Sequence, residues 1–535
     1  MINDHEAISY RTAASICKPI FVSIGRPFSL YDFAERYGFT EDSVRRCCSL
    51  ARAKGCKTLV MEKIPICGLL KDENDELSRM GYWSDSCVYR LSFFSCRVWH
   101  RLWLDCCADS RLEGYVILKH DGKSSSKARW YVFESVFRKY QHNHNCIAAQ
   151  RNYVVRCGSR HFNIAGVLYC QQNGLNKSCA HVALQSVLSK AGHDDVRYSE
   201  MNRIAAGSVA KGAYIPSDGL LSNQVADILK AYDVPFKALD YDAEREKRGS
   251  DMMREIAPYQ KIVYDGVESG GSALIGFQTS NPILKNGSHM IPFFGHTFNK
   301  DTWVTDAENS YFDISKGCGY IPSDNWTSSF IGHDDNFGQN FCVPRLYLKP
   351  EQVQFAVEIL PAGASYTGLE AEYASYPLLQ QFVPYLGSEN HWLKRLEKEF
   401  SSARPNVVLR AVSVLPKDYF TALRQIRDWN DWREREEYLL RFEKIKWPQR
   451  FWVVELSLPQ LYSANERKLG ELVFDATVSP DITLQIAAAP SFMFARFPER
   501  YIVSDQTNGN GANLTFKIYP SQLGSHVPVF RLGEG

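Results

Sequence analysis

The apolar positions of this chain change their period along its length, and each change predicts a different kind of element. In FSLYDFAERYGFTEDSVRRCCSLARAKG (28–55) apolar residues recur at helical spacing, interrupted at Gly38. On this pattern residues 1–120 are expected to be mainly helical. HDGKSSSKARW (120–130) is polar and reads as a linker, and WYVFESVFRKY (130–140) as a short helix behind it, so 121–160 is expected to hold a linker and a helix. Between 161 and 349 the pattern is clearest. Helices are expected over 178–190 and 220–234, followed by strands in KIVYDG, SALIGFQ, HMIPFFGHTF and TWVTDAE. From 350 to 535 helices are expected over 377–403 and 417–446, with strands in FWVVELSL, GELVFDA and ANLTFKIY. The fold class implied is α+β, in a chain of 535 residues long enough for several domains.

Composition narrows the function only a little. Hydrophobic residues make up 45% and charged residues 23%, a globular balance, and a net charge of +2 gives no overall attraction to nucleic acid or anionic membrane. Nucleic acid is therefore not expected as a partner, and neither is a membrane. The longest apolar run, ITLQIAAAPSFMFA (482–495), is too short to span a bilayer and is broken by Pro490. The N-terminus shows no basic leader ahead of an apolar stretch, so a cytoplasmic location is expected. Fifteen cysteines, an odd number with no CxxC pair, point to reduced thiols and away from a zinc site of the usual spacing.

One cysteine stands apart. In YCQQNGLNKSCAHVALQSVLSKAG (169–192), Cys179 opens the expected helix, and Ala183, Val187 and Ala191 follow at four-residue spacing on one face. The positive end of a helix dipole favours thiolate, the form that attacks a carbonyl. Downstream, GSHMIPFFGHTFNKDTWVTDAE (287–308) reads as two antiparallel strands joined at NKD. His289 heads the first, sharing a side with Ile291 and Phe293, and Asp306 ends the second, which returns it beside His289. A carboxylate that fixes the tautomer of a histidine, with the other ring nitrogen turned to a thiol, is the arrangement of a nucleophilic triad.

In this order and spacing the residues resemble papain-like cysteine peptidases, over about residues 165–310. Gly295 lies six residues after His289, as in papain-type sequences. Asp306, with the helix in GLLSNQVADILKAYDV, is closer to the bacterial branch that cleaves double-glycine leaders. The KSCAH surroundings of the thiol differ from the CGSCW of papain itself. The resemblance implies a papain-like core, a nucleophile helix packed on an antiparallel sheet, within 161–349. It also implies hydrolysis of a peptide or isopeptide amide through a thioester, with no metal or organic cofactor. The oxyanion donor would be Gln172, or Gln171, each slightly farther from the cysteine than the family's glutamine. The same fold hosts deamidases, acyltransferases and transglutaminase-type enzymes, and serves as a non-catalytic scaffold.

Several alternatives stay open at this level. His296 competes with His289 as base if the strand register differs, and Glu308 or Asn309 could replace Asp306. His181 is expected to pack or to touch substrate. Ala34, Gly38 and Val44 have the spacing of a helix-turn-helix core with basic residues behind, but an ordinary helical hairpin explains them as well. His142, His144 and Cys146 alternate as metal-capable groups without a fourth ligand nearby, and Trp429 and Trp432 suit packing. The flanking regions are where a protein partner or substrate selection is expected.

Overall fold

Nearly every residue of TLVMEK and WYVFESVF is buried, so these segments must be covered on both faces. They belong to a five-stranded antiparallel sheet in a computed structural model, where β1 (Ile20–Ser23), β2 (Thr58–Lys63), β3 (Cys87–Phe94), β4 (Leu112–His120) and β5 (Trp130–Phe137) pair in sequence order. The structure describes residues 9–79, 81, 87–120, 129–138, 145–146, 150–173, 179–207, 220–248, 256–279, 287–299, 312–315, 318–387, 389–426, 432–444, 446–480, 491–505, 515–521 and 525–530. Helices α1 (Ser29–Tyr37) and α2 (Asp42–Ala53) cover the face of Leu59, Met61 and Val132. On the face of Val60 and Phe133 lie α3 (Leu69–Arg79), the short α4 (Arg101–Asp105) and a hairpin, numbered β7 and β8 below. Period-two alternation divides each strand between these two cores.

This corrects two expectations. The first 120 residues are helix and sheet together, and the segment read as a helix near 130–140 is strand β5, whose aromatic and β-branched residues suit a doubly covered strand. Because β4 and β5 pair, the N-terminal unit runs past the boundary expected at 120.

After β6 (Asn145–Cys146) and the hairpin β7 (Arg151–Cys157)–β8 (Arg160–Gly166) come β9 (Phe236–Asp240), β10 (Ser272–Gln278), β11 (Ser288–Thr297), β12 (Phe312–Ser315), β13 (Cys318–Pro322), β14 (Ser329–Asp334), β15 (Gly338–Pro344), β16 (Val353–Ile359), β17 (Val408–Val414) and β18 (Phe451–Ser457). The central sheet has the order β15-β14-β11-β10-β16-β9, antiparallel throughout, with β6 on the far end of β11. On one face lie α5 (Cys179–Lys190), α6 (Tyr198–Gly207) and α7 (Ser222–Ala231), sharing a core with Leu274, Met290 and Val357. The helix Tyr259–Glu268 packs on the other face, against Ile275, Ile291 and Phe293. Its start, KIVYDG, was expected to be a strand, but Ile262, Val263 and Val267 fall on one helical stripe toward the sheet.

The third sheet has eight strands and runs from β12 and β13 through β17 and β18 to Thr515–Pro520. Its β12 and β13 come from within 161–349, while β16 of the central sheet comes from beyond 349, so the boundary expected there is crossed in both directions. The helices expected over 377–403 and 417–446 are each divided, into Gly368–Phe382 and His391–Phe400, and Pro416–Gln425 and Trp432–Glu443. Among the described residues, no helix is long and apolar enough to cross a membrane.

Candidate active site

Cys179 is the first residue of α5, and the ten residues from Ala180 to Ser189 behind it are buried. The helix is buried on all sides although His181, Gln185, Ser186 and Ser189 are polar, and it belongs inside the protein. Its Ala180, Ala183 and Val187 pack in the core beside the central sheet. The thiol is therefore carried on a rigid element, with Cys179 itself only partly buried.

His289 stands near the start of β11, opposite Phe277, whose ring meets the imidazole edge-on at 5.5 Å. Phe277, Ile291 and Phe293 share one core, so the histidine caps the apolar column that the alternation predicts. The Cys179 thiol is close enough to this ring to favour its protonated form. Its Nε2 lies 3.4 Å from Asp334 Oδ2, 3.4 Å from Asp335 Oδ1 and 3.5 Å from the Asn336 amide nitrogen. Nε2 is thus the ring nitrogen that faces the acids.

The two acids come from the turn DDNFG that joins β14 to β15. Backbone N–H groups of Asn336 and Phe337 donate to Asp334 Oδ1 at 2.8 and 3.3 Å, which turns Oδ2 toward the imidazole. Gly338 has φ +111°, and a Cβ there would come within 2.8 Å of Arg46 on α2. Arg46 in turn donates to the carbonyls of Gln339 (3.1 Å) and Asn340 (2.6 Å). The N-terminal unit thus clamps the acid-bearing turn. Its neighbour Arg45 pairs instead with Glu35 and Asp42. Gly38 makes a left-handed turn between α1 and α2, as the helical-hairpin reading requires.

Electrostatics at the site follow from this crowding. Burial would push His289 down, but hydrogen bonds to Asp334 and Cys179 and the charges of both acids raise it to about 11. Asp334, although buried, is held below the ordinary carboxylate value by His289 and by its backbone donors. Burial raises Asp335 to about 6.

Of the residues expected to form the site, Cys179, His289 and Gln172 gather here. Gln172 Nε2 donates to Asn336 Oδ1 at 3.4 Å. Gln171 is engaged elsewhere, its Oε1 accepting from Ser43 (2.6 Å) and from the Val132 N–H (2.9 Å). Asp306, Glu308 and Asn309 lie outside the described residues, as do His142, His144 and Trp429. The described carboxylates beside His289 are Asp334 and Asp335, which lie on the turn after β14 and not on the segment directly following β11, where the pattern of the sequence points. Two adjacent acids closing the apolar strand SFIG were the available signal.

His296 takes another role. The β11–β14 register slips between Phe293 and Gly295, and His296 Nε2 meets Glu268 Oε2 at 2.5 Å on the helix Tyr259–Glu268. His181 is buried, with Nε2 2.7 Å from Asn202 Oδ1 and its ring against Tyr198, a packing role.

No family model matches the chain, and no curated protein matches it.

Proposed function

We propose that this protein is a cysteine-dependent hydrolase of peptide or isopeptide amide bonds, with a papain-like arrangement around Cys179. The observation that supports it is one histidine acted on by both a helix-borne thiol, Cys179, and a turn-anchored carboxylate, Asp334. Cys179 attacks the amide carbonyl, and His289 takes the thiol proton and returns it to the leaving amine. Asp334 orients His289 and stabilises the imidazolium, the part the sequence assigned to Asp306. Gln172 and backbone N–H groups at the start of α5 hold the oxyanion, a contribution of about 3–4 kcal/mol in comparable hydrolases. Water then cleaves the thioester.

The test is timed alkylation by iodoacetamide at neutral pH, with modified sites mapped by mass spectrometry. The exposed Cys17, Cys106 and Cys342 serve as internal references. Cys179 should react first, and Cys179→Ala should abolish cleavage across a peptide and isopeptide panel. Reaction at Cys179 no faster than at those three, or cleavage that survives Cys179→Ala, would sink the proposal.

A further inference from the structure

The contacts behind His289 are poor hydrogen bonds. A single Nε2–H can point at one acceptor, yet Asp334 Oδ2 and Asp335 Oδ1 both stand 3.4 Å away, beyond the usual N–H···O range. That distance matches another kind of order. In a tetrahedral site with bonds of about 2.0–2.2 Å, neighbouring ligand atoms stand about 3.3–3.6 Å apart. One ligand atom each from His289, Asp334 and Asp335 falls within a mutual span of 4.8 Å. Independently, the Asp335 side chain is only 3% exposed; its Oδ1 accepts from Asn336 Nδ2 at 3.2 Å, while its Oδ2 has no hydrogen-bond partner among the described residues. A buried carboxylate oxygen without a donor is costly, and a cation is what would satisfy it.

We propose that His289 Nε2, Asp334 and Asp335 form a binding site for a divalent transition-metal ion such as Zn²⁺, on the side of the imidazole away from Cys179. One imidazole and two carboxylates suit Zn²⁺ or Co²⁺. The backbone N–H bonds to Asp334 Oδ1 are the outer-shell support that holds a ligating carboxylate in place. The binding claim stands on these contacts alone. Its consequence rests on the hydrolase reading: with the ion on Nε2, Nδ1–H could reach the leaving amine only by becoming an imidazolate. The ion would therefore hold the hydrolase inactive without touching its thiol.

The experiment is a Co²⁺ titration of the full-length Cys179→Ser variant, followed by visible absorption, with Zn²⁺ as competitor. One saturable equivalent is expected, with ligand-field bands of a low-coordinate ion, no thiolate charge-transfer band, and displacement by Zn²⁺. Asp334→Asn and Asp335→Asn, each added to Cys179→Ser and checked for folding by circular dichroism, should each weaken binding at least tenfold. No saturable equivalent would overturn the proposal. So would binding that the folded Asp335→Asn variant leaves unchanged, or binding by the wild type that Cys179→Ser abolishes. The titration involves no turnover, so a failed metal site leaves the hydrolase proposal intact, and an inactive protein leaves the metal result intact.

Discussion

Two histidines on strand β11, His289 and His296, both face carboxylates, and their surroundings have opposite purposes. Seven residues of strand separate them, roughly 20 Å, so they occupy opposite ends of the central sheet. At the far end His296 is enclosed. Glu268 accepts from it at 2.5 Å and from Arg410 Nε at 2.8 Å, Arg410 reaches Glu455 at 2.5 Å, and Lys468 reaches Glu455 at 2.6 Å. Acids and bases there alternate at short range, joining the helix Tyr259–Glu268 to β17 and β18. At the near end two acids share one imidazole at 3.4 Å, one acid oxygen lacks a partner among the described residues, and the Cys179 thiol also acts on the ring. Completed pairing is what a structural network shows, and incomplete pairing beside a thiol is what the proposed site would show.

The largest effect should come from Cys179→Ala, with a loss of hydrolytic turnover of at least about 10⁴-fold and an unchanged melting temperature. Turnover of a matched peptide substrate, alongside calorimetry, reads both. Glu268→Gln should do the opposite. Taking one partner from a buried charge network costs about 3–5 kcal/mol, visible in urea unfolding, while the alkylation rate of Cys179 in the folded protein stays the same. A folded Glu268→Gln protein whose thiol no longer reacted would erase the distinction between the two ends.

Acid and alkali should separate the two ends as well. Burial raises Glu268, but Arg410 and His296 outweigh it and hold it below the ordinary carboxylate range. Its contribution to stability is therefore complete above that range and is lost as pH falls toward the depressed value. His289 has the reverse sign. Its folded value of about 11 lies above the free value of 6.5, so its contribution is complete below pH 6.5 and is lost as pH rises toward 11. Asp334→Asn should flatten the alkaline limb of the stability curve, and Glu268→Gln the acid limb. Denaturant midpoints across pH would show it, as would a proton-NMR titration of His289 moved to lower pH in Asp334→Asn.

The smallest effect concerns the clamp on the acid-bearing turn. Arg46→Met removes two charge-assisted bonds to backbone carbonyls and should cost about 1–2 kcal/mol. It should also lower turnover without touching the thiol, His289 or either acid. Equal turnover in Arg46→Met and wild type would show that the turn holds its shape unaided.

Local pattern carried part of this architecture. Helical spacing after Cys179 gave α5 and placed its thiol at the first turn, and alternation in HMIPFFGHTF gave β11 with His289 at its head. Local preference misled where burial on two sides hides the period. WYVFESVF is a strand covered on both faces, and KIVYDG opens a helix despite its β-branched residues. The pairing of His289 with Asp334 was beyond reach for a different reason. Asp334 lies 45 residues after His289, and nothing near either residue states that β14 pairs with β11. The different surroundings of His289 and His296 likewise follow from a register slip at Phe293–Gly295 and from which helices cover each end of the sheet. A nucleophile and its helix are set within a few turns of chain, where periodicity and the helix terminus act. Partnership between distant side chains is set by strand order and register, which follow from burying many residues together.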